Sequence, residues 1–406
     1  MPKSMTSTRS KIAFILPRFH PEIAGGAEKL ALDYALLLKE DYEIEVFTTC
    51  AKDYTTWRNE IKPGTEVWNQ ITIHRFPVTK ERNIQEMNKA LEDCLSKGFS
   101  VTREEQLSFI EKQGPCCPAL IDTFLKDQNK FNLVIFVGYL YYPIVKLLPL
   151  VSIKKLIIPT FHDEPALYLP LYKEIYLPNY VYSFNAPEEL LVYQNRFGQI
   201  PKHTLIGTFI ENQNSSQYSN NSPADFQVTA SKPESIILMT LGRMEVAKGF
   251  VEIFQFFDRW QSTYNISNLT WISIGSNHLN PKDIPSSIQI KGFVSQNEKE
   301  SLIQSASLVI NPSPYESFSI AMMEAWSFKT PVLVNGKSEV MRGHNIRSQG
   351  GLHYSDEISF RRTLEYLIER PELRKRLGEN GYKYVQANFT KDVVSKKLKQ
   401  LISKLL

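Results

Sequence analysis

The fold class can be inferred from the stretch "SIILMTLGRMEVAKGFVEIFQFFDRW", residues 235–260. Its first part is a short apolar run that ends in a glycine turn, and such a run is typical of a buried strand. The segment after Gly249 carries aromatic and aliphatic residues at helical spacing, so it predicts an amphipathic helix. A strand followed at once by a helix is the repeating unit of a parallel α/β sheet.

The same alternation extends through both halves of the chain. Further strands are predicted in "LTWISIGS", "IQIKGFVS", "SLVINPSP" and "TPVLVNG", with helices between them. In the first half, "KIAFILP" predicts a strand, the segment after Gly25 and Gly26 a helix, and "YEIEVFTT" a second strand. Later strands are predicted at 132–138 and 154–162, with helical segments over 80–130. The predicted fold class is α/β, with two Rossmann-like domains that we expect to face each other across a cleft.

A polar stretch rich in Asn and Ser, residues 211–235, predicts a loop or interdomain connection. We therefore expect an amino-terminal domain over 1–207 and a carboxyl-terminal domain over 208–387. The final segment, 388–406, has apolar residues on one helical face and five lysines, and it predicts a helix that packs back on the first domain. The alternative for this segment is a basic amphipathic helix in peripheral contact with the inner face of a membrane.

The composition excludes several classes of protein. In a chain of 406 residues, 42% hydrophobic and 22% charged residues are typical of a globular protein. A net charge of +4, with no block of Arg and Lys interleaved with aromatics, argues against nucleic acid as a partner. The apolar run Ile12 to Leu16 is too short for a secretory signal, and no stretch reaches the roughly 18 apolar residues of a membrane span. The four cysteines lack metal-ligand spacing, so we expect a cytoplasmic protein.

Ligands of open α/β sheets bind beyond the carboxyl ends of the strands, so the loops there are the candidate site. The loop "PRFHPEIAGGAEK" follows the first strand, and its Gly25 and Gly26 let a ligand approach the start of a helix closely. The chain has no G-x-G-x-x-G fingerprint, which argues against a dinucleotide dehydrogenase. After another strand, "PTFHDEP" places His162 at the carboxyl edge, where a structural and a catalytic role are both open.

Two cationic side chains follow the strand that opens the second half. Arg243 and Lys248 lie five positions apart in "LGRMEVAKGF", directly after Gly242. An Arg fork and a Lys point charge at one strand-to-helix junction can converge on a single diphosphate. Solvation at the surface explains either residue alone, but the pair favours phosphate binding.

Two acids, Glu316 and Glu324, lie eight positions apart in "NPSPYESFSIAMMEAW". We predict a helix from about Ser317 to Phe328, in which eight residues span roughly 12 Å. That separation exceeds the roughly 5 Å between the carboxyl groups of a retaining glycosidase. A long polyhydroxylated ligand fits better, with one acid on a sugar, the other on a ribose, and backbone N–H groups near Ser317 and Phe318 on a phosphate. A nucleotide sugar has these parts in this order.

At these residues the sequence resembles the retaining GT-B glycosyltransferases of family 4. Their Glu-x7-Glu signature, E-[SG]-F-G-x4-E-A, is matched from Glu316 to Ala325. Further likeness lies in "GGAE", "LGRMEVAKG", "IKGFVS" and "LGENGYKYVQANFT", so the resemblance covers nearly the whole chain. One residue departs from the signature: Ser319 stands where the family usually has Gly, which affects the placement of the donor sugar.

The resemblance implies a role for each candidate residue. Gly25 and Gly26 would lie near the donor phosphates and the transferring sugar, and Arg243 and Lys248 would neutralise the leaving diphosphate. The family needs no divalent metal, and this chain has no Asp-x-Asp triplet. The resemblance therefore implies no metal and no cofactor, with cationic side chains and helix amino termini in place of an ion.

The sugar and base would be held by the remaining candidates. The resemblance implies that Glu316 binds sugar hydroxyls and Glu324 the ribose. It also implies that the backbone around Phe293 and Val294 forms the base-binding turn, and that His162 lies beside the donor sugar.

These residues predict retaining transfer of a sugar from a nucleoside-diphosphate sugar to an acceptor hydroxyl. Breaking the anomeric bond builds negative charge on the diphosphate, which preorganised cations stabilise. We expect attack from the face that the diphosphate leaves, with the diphosphate taking the proton of the acceptor, which is a glycan, a lipid-linked glycan or a small molecule. A sugar-nucleotide epimerase of GT-B fold and a non-catalytic sugar-nucleotide-binding protein remain alternatives.

Overall fold

The computed structural model describes residues 9–23, 25–211, 235–264 and 268–406. The chain divides into two compact units. Unit 1 comprises the chain up to Thr208 together with Val394–Leu406, and unit 2 comprises Phe209–Val393. The predicted connection over 211–235 lies outside the described residues, except for its two end residues.

Unit 1 is built on a parallel sheet. In the part of the chain that the structure describes, its strand order is β3-β4-β2-β1-β5-β6-β7-β8, and only the β3–β4 pair is antiparallel. Its strands are β1 (Lys11–Ile15), β2 (Glu43–Thr49), β3 (Gly64–Trp68), β4 (Ile71–Phe76), β5 (Leu133–Val137), β6 (Lys155–Ile158), β7 (Val181–Phe184) and β8 (Lys202–Leu205). The central strands β1 and β5 are apolar and buried almost throughout, because helices cover both faces of a parallel sheet.

Helices follow β1, β4, β5, β6 and β7, and three of them lie in succession between β4 and β5. They are α1 (Gly26–Leu38), α2 (Ile84–Ser96), α3 (Arg103–Gln113), α4 (Pro118–Asp127), α5 (Tyr142–Leu147), α6 (Leu171–Ile175) and α7 (Pro187–Phe197). Three of them, α2 to α4, occupy the segment 80–130, where the sequence predicts helices. The strand predicted over 154–162 is shorter in the structure, because the extended backbone stops before Thr160, whose φ of 52° is left-handed.

Unit 2 repeats the alternation with a sheet in the order β11-β10-β9-β12-β13-β14, all pairs parallel. Its strands are β9 (Ile236–Leu241), β10 (Leu269–Ile274), β11 (Ile288–Gly292), β12 (Leu308–Asn311), β13 (Val332–Asn335) and β14 (Gly351–Tyr354). Its helices are α8 (Phe250–Thr263), α9 (Gln296–Ser305), α10 (Ile320–Ser327), α11 (Glu339–Ser348), α12 (Glu357–Ile368) and α13 (Pro371–Asn388). The chain runs outward from β9 to β11 and then returns to β12 on the other side of β9. The point where strand order reverses lies between β9 and β12, and such a point is where open α/β sheets bind ligands.

The last helix, α14 (Lys391–Leu405), begins three residues later than predicted. Its Val394, Leu398 and Ile402 are buried, and Lys399 forms an ion pair of 2.6 Å with Asp41 of unit 1. In the described ranges, no helix is both long enough and apolar enough to cross a membrane.

Candidate functional site

The candidate site of unit 2 is formed by the loops after β9 and β12. These strands are parallel neighbours, so their following loops emerge at the same edge of the sheet. The first loop carries Gly242, Arg243 and Lys248, and the second carries Glu316 and Ser317. The sheet topology therefore brings the predicted cations and the first predicted acid to one place.

Glycine is required where the first loop meets its neighbour. Gly242 has a φ of 109°, and its N–H donates to the carbonyl of Ile274 at 2.9 Å. A Cβ on Gly275 would overlap the carbonyl of Gly242, so the loops after β9 and β10 are in backbone contact. Arg243 projects from this contact, with Nη1 3.6 Å from Oε1 of Glu245.

Lys248 and Glu316 are in direct contact across the two loops. Nζ of Lys248 donates to Oε1 of Glu316 at 3.1 Å, and both side chains are partly buried. Gly249 allows this approach, because a Cβ there would lie 2.5 Å from the carbonyl oxygen of Pro312. An ammonium has three donors, so Lys248 can keep this carboxylate and still bind a phosphate oxygen.

Glu324 also contacts a lysine. It lies on α10, and its Oε1 is 2.5 Å from Nζ of Lys299 on α9. Both side chains are partly buried. No role was predicted for Lys299, because a contact between two different helices leaves no mark in local spacing.

The predicted helix over 317–328 is wrong at its start, since α10 begins at Ile320. Ser319 precedes it with φ 71° and ψ 77°, a left-handed conformation that costs an L-residue other than glycine roughly 1–2 kcal/mol. The position thus has a backbone geometry that suits glycine. A hydrogen bond offsets part of the strain of Ser319, because its buried Oγ accepts from Nδ2 of Asn311 at 2.9 Å.

This correction changes the arrangement of the two acids. Glu316 lies in the loop, and only Ile320 to Glu324 are helical, so the helix contributes roughly 6 Å between them. Phe318 is buried against His344 and Phe389, at centroid distances of 5.5 and 4.9 Å. The N–H groups at the helix start are therefore those from Ile320 onward, not those of Ser317 and Phe318.

The predicted base-binding turn follows β11, on the outer side of β10. Gly292 has a φ of 67°, and the next residue, Phe293, is 72% exposed, whereas Val294 is partly buried. The carbonyl of Gly292 accepts a hydrogen bond of 2.8 Å from the N–H of Gly275. An exposed ring held by a hydrogen-bonded turn can stack on a planar group.

In unit 1, Gly25 and Gly26 lie at the start of α1, and Gly26 is its first residue. A Cβ on Gly25 would overlap the carboxylate of Glu28, which folds back over the helix start. That carboxylate pairs with the buried Arg18, whose Nε donates to Oε1 at 2.9 Å. The glycine thus makes room for an ion pair that the sequence did not predict.

His162 lies four residues beyond the end of β6, and its Nδ1 is 3.5 Å from Oε1 of Glu164. The same oxygen accepts a hydrogen bond from the hydroxyl of Tyr139. Burial opposes ionisation of Glu164, but the hydrogen bonds from His162 and Tyr139 and the charge of His162 hold its pKa below the usual value. Loops after β1 and β6 carry Gly25 and His162, and β5 lies between those strands.

A second acid fixes the backbone of the His162 loop. Glu189, fully buried in the first turn of α7, accepts hydrogen bonds from the N–H of Phe161 at 2.8 Å and of Asn185 at 2.6 Å. Burial raises its pKa to about 8, against the opposing effect of these backbone bonds. Sequence reasoning missed Glu189, because an acid in a first helical turn is ordinarily exposed.

The chain resembles known proteins in sequence over part of its length. Residues 221–384, which include Arg243, Lys248, Glu316 and Glu324, match the family model described as Glycosyl transferases group 1. The lipopolysaccharide core biosynthesis glycosyltransferase LpsE of Rhizobium meliloti (strain 1021) is 22% identical over 173 residues, which cover 41% of this chain and 49% of that protein. Glycosyltransferase 1 domain-containing protein 1 of Xenopus tropicalis is 28% identical over 98 residues, 23% of this chain and 27% of that protein. The matches thus span half or less of these curated relatives.

Solved structures resemble the chain over nearly its whole length. Sucrose-phosphate synthase from Thermosynechococcus elongatus has a TM-score of 0.67 at 17% identity, covering 98% of this chain and 99% of that one. An E. coli structure described as trehalose-6-phosphate bound with UDP-2-fluoro glucose has a TM-score of 0.69 at 13% identity, with the same coverage. HepE from Anabaena, in complex with UDP and glucose, has a TM-score of 0.64 at 13% identity, covering 97% and 99%. These likenesses show that the chain has the GT-B fold, as the sequence predicts.

Proposed function

We propose that the protein is a retaining glycosyltransferase that moves a sugar from a nucleoside-diphosphate sugar to an acceptor hydroxyl without a divalent metal. The contact of Lys248 with Glu316 carries this proposal. In this contact a cation that can bind phosphate lies beside an acid that can bind sugar hydroxyls, at the point of unit 2 where strand order reverses. The match of residues 221–384 to the glycosyltransferase group 1 model supports the same reaction class.

The cations act on the leaving group. When the anomeric C–O bond breaks, its electron pair stays on the diphosphate, and the sugar gains oxocarbenium character. Arg243 and Lys248 neutralise the growing negative charge, and the N–H groups at the start of α10 add to this stabilisation. Because these donors are fixed before the reaction, little reorganisation is needed in the transition state.

The two acids orient the donor. Glu316 accepts hydrogen bonds from sugar hydroxyls, and its contact with Lys248 ties the position of the sugar to that of the phosphate. Glu324 accepts from the ribose hydroxyls, with Lys299 holding the carboxylate in place. Phe293 stacks on the base, and His162 hydrogen-bonds to the transferring sugar.

The acceptor oxygen attacks from the face that the diphosphate leaves, and a diphosphate oxygen takes the proton of the acceptor. A new glycosidic bond forms as the bond to the diphosphate breaks, so the anomeric configuration is retained. This series of steps needs no covalent intermediate between the enzyme and the sugar. Of the acceptors expected from the sequence, a glycan, a lipid-linked glycan and a small molecule all supply the required hydroxyl.

The test is an incubation with UDP-, GDP- and ADP-sugars, in EDTA, together with a panel of acceptors. We expect release of the nucleoside diphosphate that depends on acceptor, and a product whose anomeric proton coupling matches the donor. An inverted product would overturn the retaining mechanism. Conversion of the donor to an epimer without acceptor would instead identify a GT-B epimerase.

A further inference from the structure

Arg82, in the loop between β4 and α2 of unit 1, has no acidic partner among the residues that the structure describes. Its Nη2 donates to the carbonyl of Tyr54, and its Nε is buried without an acceptor. An arginine remains protonated even though burial lowers the pKa of this guanidinium. A partly buried charge with no carboxylate in contact is costly, so a ligand that brings a negative charge would be stabilised here.

The guanidinium of Arg82 is held between aromatic rings. Its Cζ lies 4.7 Å from the ring centroid of Trp57 and 5.6 Å from that of Tyr54. Arg18 contacts the same two rings at 5.9 and 5.4 Å, and its own charge is balanced by Glu28. We call Arg18, Tyr54, Trp57 and Arg82 the arginine–aromatic cluster. Of its two arginines, Arg82 is the one with no carboxylate in contact among the described residues.

The loop that carries the two rings is firmly built. Asp53 accepts hydrogen bonds from the N–H groups of Thr55 and Thr56, both at 3.0 Å, and from their hydroxyls. The charge of Asp53 attracts Arg82, but the two side chains do not form an ion pair. Trp57 is buried in a left-handed conformation, φ 58°, and its Nε1 donates to the carbonyl of Gln113 at 2.8 Å. Strained, well-anchored residues of this kind cluster at ligand sites.

The cluster lies where unit 1 is expected to bind a ligand. Tyr54 and Arg82 follow β2 and β4, which are parallel neighbours, and both side chains are partly exposed. Trp57 packs edge-on against Tyr141, at 5.4 Å, in the loop after β5. The cluster therefore reaches the edge between β1 and β5, where the strand order of unit 1 reverses.

We propose that the arginine–aromatic cluster binds an anionic group, carboxylate or phosphate, on a sugar acceptor. The Arg82 guanidinium donates hydrogen bonds to the anion. Charge-assisted hydrogen bonds from the planar fork of an arginine to a carboxylate or a phosphate are stronger than hydrogen bonds between neutral groups. The exposed part of the Tyr54 ring packs on the sugar. The proposal rests on the proposed function only in taking the bound anion as the acceptor, and binding itself is measured without a donor.

The experiment titrates the full chain with glucuronate, glucose 6-phosphate and glucose by calorimetry. We expect the wild type to bind at least one of the two acidic sugars more tightly than glucose. Arg82→Gln should weaken that binding by about tenfold or more, the loss that follows from removing a hydrogen bond to a charged group. Arg58→Gln is the matched control, because Arg58 is in the loop that carries Tyr54 and Trp57 but is exposed and paired with Glu81.

A second pair of variants separates this site from that of unit 2. Arg243→Gln should leave the binding of the acidic sugar unchanged and weaken that of a nucleoside diphosphate, and Arg82→Gln should do the reverse. Should Arg82→Gln fail to fold, Arg82→Lys keeps the charge without the fork and should bind the anion more weakly than wild type. Equal binding of glucose and the acidic sugars, no acidic-sugar binding, or wild-type binding by both Arg82 variants would overturn the proposal.

Discussion

Glu316 and Glu324 in unit 2 each contact a lysine, whereas in unit 1 Arg82 contacts no carboxylate among the described residues, and Glu189 accepts its hydrogen bonds from backbone N–H groups. The resting site of unit 2 is thus compensated in charge, and a diphosphate must share its cations with the acids already there. In unit 1, by contrast, Arg82 is a cation with no acid in contact among the described residues, and the raised pKa of Glu189, about 8, keeps that buried acid protonated at neutral pH. In the roles that we propose, the paired charges of unit 2 position a ligand, and the unpaired Arg82 of unit 1 selects one.

The largest effect is expected from breaking the Lys248–Glu316 pair. Lys248→Met should lower kcat about 100-fold, because it removes a preorganised cation from the leaving group and leaves Glu316 without this partner. The rate of nucleoside diphosphate release at saturating donor measures it. Lys329→Gln, an exposed lysine of the same unit that is paired with Glu379, is the control and should retain wild-type turnover. A Lys248→Met rate within threefold of wild type would contradict the role given to the pair.

The protonation of the buried acid Glu189 in unit 1 can be tested through the pH dependence of the free energy of unfolding. Its folded-state pKa of about 8 lies above the ordinary value, so the folded chain holds a proton that the unfolded chain loses. Its stabilising contribution is present below about pH 4.5 and is lost as pH rises toward about 8, by roughly 1.4 kcal/mol per unit of pKa difference. The free energy of unfolding of wild type minus that of Glu189→Gln should therefore fall between pH 5 and 8. A constant or rising difference would mean that the buried acid is already ionised.

Substitutions of the two acids of unit 2 should affect the binding of a bare nucleoside diphosphate differently. Glu324→Gln should weaken the bare nucleoside diphosphate by about tenfold, because both diphosphate and donor contain the ribose. Glu316→Gln should leave the bare diphosphate within about threefold, or bind it slightly tighter, because Lys248 is released from its carboxylate. Calorimetry measures the affinity of each variant for the bare diphosphate, and turnover is measured on the same two variants. Equal weakening by both substitutions would show that the acids do not divide sugar from ribose.

The smallest effect is expected at Ser319. Ser319→Gly removes the strain of a left-handed φ but also the bond from Asn311, so the free energy of unfolding should change by less than about 1 kcal/mol. Ser319→Ala keeps the strain and loses the bond, so it should destabilise by about 1–2 kcal/mol. Denaturant unfolding of both variants measures this order. A more stable Ala than Gly variant would refute the explanation of why serine is tolerated there.

The alternation of apolar runs and amphipathic segments was enough to predict the α/β class and most strands, because burial on both faces dictates those patterns. It also predicted that Lys248 and Glu316 would share an edge, since each follows a strand of one parallel sheet. The start of α10 was missed because a serine in a left-handed conformation gives no local signal. The partners Lys299 and Glu189 were missed because they act through contacts between elements distant in sequence.

The most direct test of the site in unit 2 is calorimetric titration with UDP, GDP and ADP in excess EDTA. Wild type, Arg243→Gln and Arg82→Gln are compared. We predict that at least one of the three nucleotides binds wild type and Arg82→Gln equally, and binds Arg243→Gln about tenfold or more weakly. Binding of none of them without metal, or equal affinity in wild type and Arg243→Gln, would contradict it.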